Sequence, residues 1–345
     1  MINIAIIGGG ASGIFAAITA LSSGAQASVT VFEQLNRVGK KLLATGNGRC
    51  NITNENACEI INNKPTHYYG ENSEFASYAL NKFTTKSLIN YLYNNGLILR
   101  KENDKYYPYS EQAGTVLDFL RLKCEMLGVN LITDTKVNSI VKSKSDFIIN
   151  NQHFDKVIVA CGGNSSPHLG SDGSGYKLLE SFGHKKTKLF PAITQIKTQN
   201  DLVKQLKGIK ADALCSIFVN KKLIRQEFGQ VLFADYGLSG PPIFQLSGIA
   251  AKNYEKNCVI SLDLMNDKEI NEIENLIKKV IDNPFTYPLN AENLLTLLLN
   301  KRLGQVVLKY CGKKMNEDIY SFTDKDIKNI AYSIKNFNLK VTGVS

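Results

Sequence analysis

Near the amino terminus, Gly8-Gly9-Gly10-Ala11-Ser12-Gly13 follows the short apolar run Ile2 to Ile7 and precedes an alanine-rich stretch from Ile14 to Leu21. The plain reading is strand, tight turn, helix. Gly24 closes the helix, and Ser28 to Phe32 restores period-two alternation before ending in Glu33. Such a βαβ unit, with an acid about twenty residues beyond its last glycine, has the chemistry of a dinucleotide site. Gly8 permits the turn, Gly10 lets a pyrophosphate approach the backbone, and Gly13 allows close helix–strand packing. The helix N-terminus faces the phosphates, and Glu33, with Gln34 beside it, meets the ribose hydroxyls. The alternative is a glycine-rich turn in an unrelated α/β protein.

A second group of candidate residues follows. Arg37, Gly39, Lys40 and Lys41 lead into Leu42-Leu43-Ala44-Thr45-Gly46-Asn47-Gly48-Arg49-Cys50-Asn51-Ile52-Thr53-Asn54. Donors this dense in a loop suit an anionic or carbonyl-rich ligand, and a surface turn is the bland alternative. Lys156 to Gly163 is an apolar strand ending in Ala160-Cys161-Gly162-Gly163. Glycine there allows backbone to approach a ligand, or simply turns a buried parallel strand. Gly170 to Gly175 is glycine-rich without being a second GxGxxG, so no separate nicotinamide domain is evident.

The elements that must position these residues are read from periodicity. Helices are predicted over Phe75 to Gly96, Gly114 to Gly128 and Tyr176 to Phe182, and strands over Leu131 to Val141 and Phe147 to Asn150. From Ala192 to Met265 short strands dominate, namely Ile193 to Lys197, Ala213 to Val219, Val231 to Ala234 and Val259 to Leu264. From Asp267 to Asn336 the pattern turns helical and lysine-rich, with helices over Ile270 to Ile281, Glu292 to Leu299 and Gly304 to Tyr310.

Composition bounds the class. The chain has 345 residues, 43% hydrophobic and 21% charged, which suggests two or three globular domains and excludes disorder. Its formal charge of +10 favours acidic ligands. The seven cysteines form no CxxC pair, which points to a reduced, cytoplasmic protein, and seven residues separate Cys50 from Cys58, a poor dithiol spacing. Glycines interrupt the uncharged first 32 residues, arguing against a signal or membrane anchor. His67, His153, His168 and His184 are scattered, and no metal-ligand spacing occurs. Tyr106, Tyr107 and Tyr109 around Pro108 suit either a pocket lining or core packing.

Taken together, Ile6 to Gly13, Gly39 to Asn54, the Ala160 to Gly163 strand end and Phe233 to Pro241 resemble a family of bacterial FAD flavoproteins. It is the family of the aminoacetone oxidase type, which also includes bile-acid-inducible flavin reductase relatives. The likeness covers essentially the whole chain, and Gly39 to Asn54 is its most specific part. The resemblance implies an α/β fold: a Rossmann-like, glutathione-reductase-like FAD-binding domain at 1–190, a β-rich insert at 191–266 and a small helical insert at 267–335. Residues 336–345 would return to the first domain. By the same resemblance Gly8, Gly10, Ala11, Ser12 and Gly13 line the pyrophosphate. Lys40, Lys41 and the loop Thr45, Gly46, Asn47, Gly48, Arg49, Cys50 and Asn51 run toward the flavin. Val137 offers backbone to the adenine, and Ala160, Cys161 and Gly162 pass beside the cofactor.

Two departures stand out. Phe233-Ala234-Asp235-Tyr236 has no histidine where the family often carries one, so no catalytic histidine transfers. The chain also stops at Ser345 where the family continues with a segment that places a helix N-terminus near the flavin, so weak or absent FAD retention is expected.

The resemblance implies an FAD-dependent oxidoreductase acting on a small-molecule substrate. Two electrons pass between a small organic compound, or NAD(P)H as transient donor, and FAD, with oxygen or an unsaturated compound as acceptor. No catalytic residue is assigned, and the sequence is silent on oligomeric state. Two alternatives stand beside it: a flavoprotein acting on transfer RNA, disfavoured because the basic residues of the helical insert lack interleaved aromatics, and a non-catalytic remnant.

Overall fold

Three successive residues of the first strand, β1 (Ile2–Ile7), are buried: Ala5, Ile6 and Ile7. A strand covered on both faces belongs in a parallel sheet between two layers. That is its place in the computed structural model, which describes residues 1–70, 72–199, 201–282 and 290–345. The chain divides into two units, Met1–Thr187 and Lys188–Ser345.

In the first unit, β1 pairs in parallel with β2 (Ala27–Phe32) and with β4 (Lys156–Val159), and β2 pairs with β3 (Asn130–Ile132). The strand order is β4-β1-β2-β3. Helix α1 (Ala11–Ser22) connects β1 to β2 and covers one face, where Ala17 meets Ile6, Val29 and Val31. Ala5, Ile7 and Phe32 cover the other face with Ile149, Phe154 and Leu178, the last on α6 (Ser174–Glu180). A third apolar cluster joins Ile14 and Ile18 of α1 to Leu42 of α2 (Lys40–Leu43). It also takes in Leu92 of α4 (Thr85–Asn94) and Val116, Leu117 and Leu120 of α5 (Ala113–Met126).

Two predicted elements of this unit are shorter than periodicity suggests. The helical stretch from Phe75 begins as a 3-10 turn, continues as α3 (Ser77–Lys82) and breaks at Phe83, whose backbone is extended. Thr84 then caps α4 by accepting a hydrogen bond from the Ser87 N–H at 3.1 Å, a local alternative to continuing the helix. The strand expected over Leu131 to Val141 ends at Ile132. Asp134 has a positive φ of 52°, and the N–H groups of Asp134 and Thr135 donate to the carbonyls of Leu35 and Glu33 instead of to a neighbouring strand.

The second unit is a closed antiparallel barrel. Its strands are β5 (Ile196–Gln199), β6 (Lys210–Val219), β7 (Lys222–Ala234), β8 (Gly237–Ser239), β9 (Cys258–Asp263) and β10 (Phe337–Val344), in the order β5-β8-β7-β6-β9-β10. The ring closes where Ile196 pairs with Val344. Closure removes the unpaired edges that an open sheet would expose. Ile193, predicted as strand, lies outside it with a positive φ of 57°.

Residues 336–345 therefore do not return to the first unit as expected. Phe337, Leu339 and Val341 are buried while Asn338, Lys340 and Thr342 are exposed, the alternation of a strand with one covered face. They pair with Leu262, Ile260 and Thr198 of the strands on either side.

Helices α7 (Asp201–Lys204) and α8 (Pro241–Asn253) belong to the same unit, the latter opening on a proline at its first position. Between β9 and β10 come α9 (Ile270–Ile281), α10 (Ala291–Leu294), α11 (Lys301–Tyr310) and α12 (Asp324–Lys335). They supply the helical insert, of which residues 283–289 lie outside the described residues. Ile273, Ile277 and Ile281 recur every fourth residue and are buried on the core cluster of the barrel. Asp326 closes the capping box of α12 and sits 2.7 Å from Lys313, and these contacts lower its pKa to about 2. Among the described residues no helix is long and apolar enough to cross a membrane.

The barrel's dependence on β10 is testable. Phe337→Ala removes a fully buried ring and is expected to destabilise the protein by about 3–5 kcal/mol. Phe228→Ala, at a position 62% exposed, is expected to cost under about 1 kcal/mol. Denaturant midpoints of the two variants decide it, and equal losses would contradict the placement of β10 in the core.

Candidate functional site

The first turn of α1 stands at the carboxyl ends of β1 and β4 because two glycines let it. At Gly8, where φ is +108°, an added Cβ would lie 2.5 Å from the Ala160 carbonyl oxygen, and at Gly13 it would lie 1.9 Å from the carbonyl oxygen of Gly8. Gly10 differs: a Cβ there meets no protein atom within 4 Å. The space over Gly10 is thus open, and the N–H groups of Ala11, Ser12 and Gly13 have no intrahelical acceptor. No acidic residue lies in the first turn to offset the helix dipole.

A cavity of ≈ 270 Å³ opens in front of this turn. Gly8, Gly10, Ala11 and Ser12 line it, with Glu33, Gln34, Lys40, Lys41, Val137, Ala160, Cys161 and Gly162. The predicted residues thus come together from β1, α1, the end of β2, α2, the loop after β3 and the end of β4. Glu33 is buried, and its two carboxylate oxygens accept from the N–H groups of Gly9 and Leu35, each at 2.8 Å. A carboxylate has about four acceptor sites, so this engagement leaves capacity for ribose hydroxyls. Arg37 and Gly39 of the second candidate group also line it, whereas sequence reasoning missed Thr135, Lys136 and the turn Leu169, Gly170, Ser171 and Ser174, all of which line the cavity. The only signal for that turn was its glycine content.

The missed turn is tied down from two sides. The Gln34 side-chain amide donates to the Gly170 carbonyl at 2.9 Å, and the Lys41 ammonium donates to the Ser171 hydroxyl at 2.5 Å. Asp172 accepts from the Ser174 N–H at 3.0 Å and from Lys136 at 2.9 Å. These two partners hold its carboxyl far below the usual carboxylate range. Cys161 donates weakly to the Ile7 carbonyl, and burial, reinforced by the Asp172 and Glu33 charges, raises its thiol pKa to about 11.

A second cavity of ≈ 500 Å³ shares Gly10, Ala11, Ser12 and Lys41 with the first. Thr45, Cys50 and Asn51 add polar groups, while Phe15, Leu42, Ile52, Phe83, Leu88, Leu92, Val116 and Leu120 make most of its wall apolar. Burial raises the Cys50 pKa, so its thiol is neutral.

Gly13 lines neither cavity, its role being contact with Gly8. Nor do Gly46, Asn47, Gly48 and Arg49. The Arg49 guanidinium stacks over the Tyr107 ring, 4.1 Å from its centroid, and pairs with Glu102 and with Glu111 at 3.0 Å. It therefore braces a loop whose residues 46–48 and 50 all have positive φ, and the signal for this was the tyrosine cluster. Of that cluster, Tyr107 is buried, Tyr106 donates to Glu55 at 2.6 Å, and Tyr109 is exposed. None of the four histidines lines either cavity.

Residues 2–330 match the family model described as HI0933-like protein Rossmann domain. The chain belongs to this HI0933-like family. It is 36% identical over 323 residues to the 3-dehydro-bile acid delta(4,6)-reductase of Clostridium scindens, covering 92% of this chain and 77% of that protein. It is 26% identical over 350 residues to the ribosomal RNA dihydrouridine synthase of Haemophilus influenzae, covering 98% and 81%. The Escherichia coli protein of that name is 27% identical over 304 residues, covering 86% and 71%.

Two predictions follow from the geometry of this HI0933-like domain. Gly10→Val projects into the open space and is expected to leave the melting temperature within about 5 °C of wild type while abolishing FAD retention. Gly13→Ala, driven into the Gly8 carbonyl, is expected to destabilise the fold itself. Paired melting curves and acid-released FAD separate them, and full FAD in folded Gly10→Val would contradict the assignment. Cys161, with a pKa near 11, has a thiolate fraction of about one in a thousand at pH 8, so its alkylation by iodoacetamide should be slow and accelerate as pH rises. Peptide mass spectrometry after timed labelling checks this.

Proposed function

We propose that this chain is an FAD-dependent oxidoreductase that reduces a carbon–carbon double bond conjugated to a carbonyl, with NAD(P)H as the electron source. The observation that carries the reading is the open cradle over Gly10. The first-turn donors lie between a cleft holding Glu33 and Val137 and a wall formed by Lys41 of α2 with Thr45 and Asn51 of the loop that follows it. One side suits adenosine, the turn suits pyrophosphate, and the other side suits the redox ring. Arg37, Lys40 and Lys41 in the cleft lining favour the pyrophosphate charge. FAD, when bound, supplies two-electron transfer. The chain's own residues bind and orient it, and Lys41, anchored on Ser171, presents its side-chain nitrogen where the two cavities adjoin. The unsaturated acceptor is suggested by the relative named as a delta(4,6)-reductase.

A second reading, reduction of uridine in RNA, is favoured by the two relatives named as ribosomal RNA dihydrouridine synthases. The basic residues of the helical insert do not add to it. Lys278 and Lys301 pair with Asp324 and Glu292, as a solvated helix face does, and the half-buried Lys313 is engaged by Asp326.

The deciding experiment is to purify the protein, measure FAD per chain, and follow NADH and NADPH oxidation with cyclic enones or with ribosomal RNA as acceptor. The expected result is a protein that is yellow once supplied with FAD and then oxidises NAD(P)H in an enone-dependent manner. A colourless protein that cannot be reconstituted contradicts the cofactor assignment. Dihydrouridine formation without enone turnover would select the RNA reading.

A further inference from the structure

The turn before α6 carries two glycines in left-handed backbone, Gly170 with φ of +95° and Gly173 with φ of +79°, and between them stand Ser171 and Asp172. Among the described residues no backbone hydrogen bond ties those two to another segment. Side chains hold them instead. Lys41 of α2 donates to the Ser171 hydroxyl, and Lys136, on the loop after β3, donates to the Asp172 carboxylate at 2.9 Å. The second fastening is the looser one: Ser171 is buried, whereas the Lys136 side chain is 50% exposed. Lys136 also stands in a wall shared by two cavities. With Val137 and Ser174 it lines both the nucleotide cleft and a further cavity of ≈ 240 Å³, which Asp172 and Lys177 also line.

We propose that Lys136 and Asp172 are positioning residues for the cofactor: their ion pair latches the Gly170–Gly173 turn beside the adenosine end of the cleft and sets how long an adenosine-bearing nucleotide stays. The inference rests on the reading of the cleft as the nucleotide's. Three observations carry it. Lys136 adjoins Val137 and shares the cavity lining with Glu33, so the pair flanks the end assigned to adenosine and not the part at Lys41 that meets the second cavity. Glycine at both ends of the turn permits backbone rotations that other residues resist, so losing one side-chain contact frees the segment to move. Parting Lys136 from Asp172 also withdraws a side chain from the shared wall, which joins the two cavities and opens a route for the nucleotide. The latch acts without either residue touching the cofactor, unlike a cation that binds phosphate.

The test is stopped-flow displacement of FAD, with ADP and FMN titrated as probes that carry only one end of it. Lys136→Met breaks the pair from a half-exposed side chain, and Asp172→Asn breaks it while keeping an oxygen that accepts from the Ser174 N–H, so both variants are expected to fold, as circular dichroism checks. FAD should leave either variant about three- to tenfold faster than wild type, the scale of a partly exposed ion pair. ADP should weaken by the same factor, FMN should be unaffected, Lys136→Arg should restore the wild-type rate, and the double variant should be no faster than either single one. A direct phosphate contact by Lys136 would leave Asp172→Asn at the wild-type rate, and a general loosening of the fold would weaken FMN along with FAD; either result overturns the proposal. So does an unchanged FAD rate in folded Lys136→Met. A wild type that binds neither FAD nor ADP sinks the nucleotide reading and the latch with it, whereas FAD binding with unaltered rates in both variants sinks the latch alone.

Discussion

The candidate site depends on a contact between backbones that side chains would forbid. The first turn of α1 approaches the ends of β1 and β4 so closely that a single added carbon at Gly13 would overlap the Gly8 carbonyl, and one at Gly8 would overlap that of Ala160. This approach puts the positive end of a twelve-residue helix over the sheet's carboxyl edge. The three glycines are not equivalent. Gly8 and Gly13 are small because protein fills the space beside them, whereas Gly10 is small beside space that protein leaves open, and only the latter speaks of a ligand.

Around that contact, the cleft is assembled from segments far apart in the chain but tied to one another by few bonds. Glu33 joins the glycine turn to the end of β2 through Gly9 and Leu35, and the carbonyls of the same Glu33 and Leu35 hold the loop after β3. Gln34 and Lys41 then fasten the Gly170–Ser171 turn. Glu33 thus organises backbone before it meets any ribose. A substitution there disturbs the shape of the cleft as well as its hydrogen-bonding capacity, and the two effects separate only by comparing stability with binding.

What was legible in the sequence was local. The strand, turn, helix and second strand from Ile2 to Glu33 carry their own periodicity and punctuation, and α9 runs over Ile270–Ile281 as its spacing required. What was not legible depended on distant partners. Phe337 to Val344 alternates as a strand should, but the choice of β5 and β9 as neighbours is a fact about barrel closure. Arg49 looks like a ligand donor in a donor-rich loop. Its partners Glu102 and Glu111 lie more than fifty residues away and make it a brace. Phe83 sits in a helical pattern, yet Thr84 offers the backbone a cap that ends one helix and starts the next.

The brace and the cap bear on the same cavity. Left-handed backbone at Gly46, Asn47, Gly48 and Cys50 costs conformational energy, least at the glycines, and such a loop persists only if its surroundings fix it. Arg49 does so by stacking on Tyr107 and pairing with two carboxylates, which leaves Thr45, Cys50 and Asn51 facing the second cavity while Arg49 itself faces away from it. The break at Phe83 frees that ring from a helix and lets it line the same cavity, 6.0 Å from Phe15. An apolar wall and a polar rim therefore arise from two departures from regular structure, each held by contacts outside the cavity. Regular helices at both places would have used those residues for packing and left no chamber beside the glycine turn.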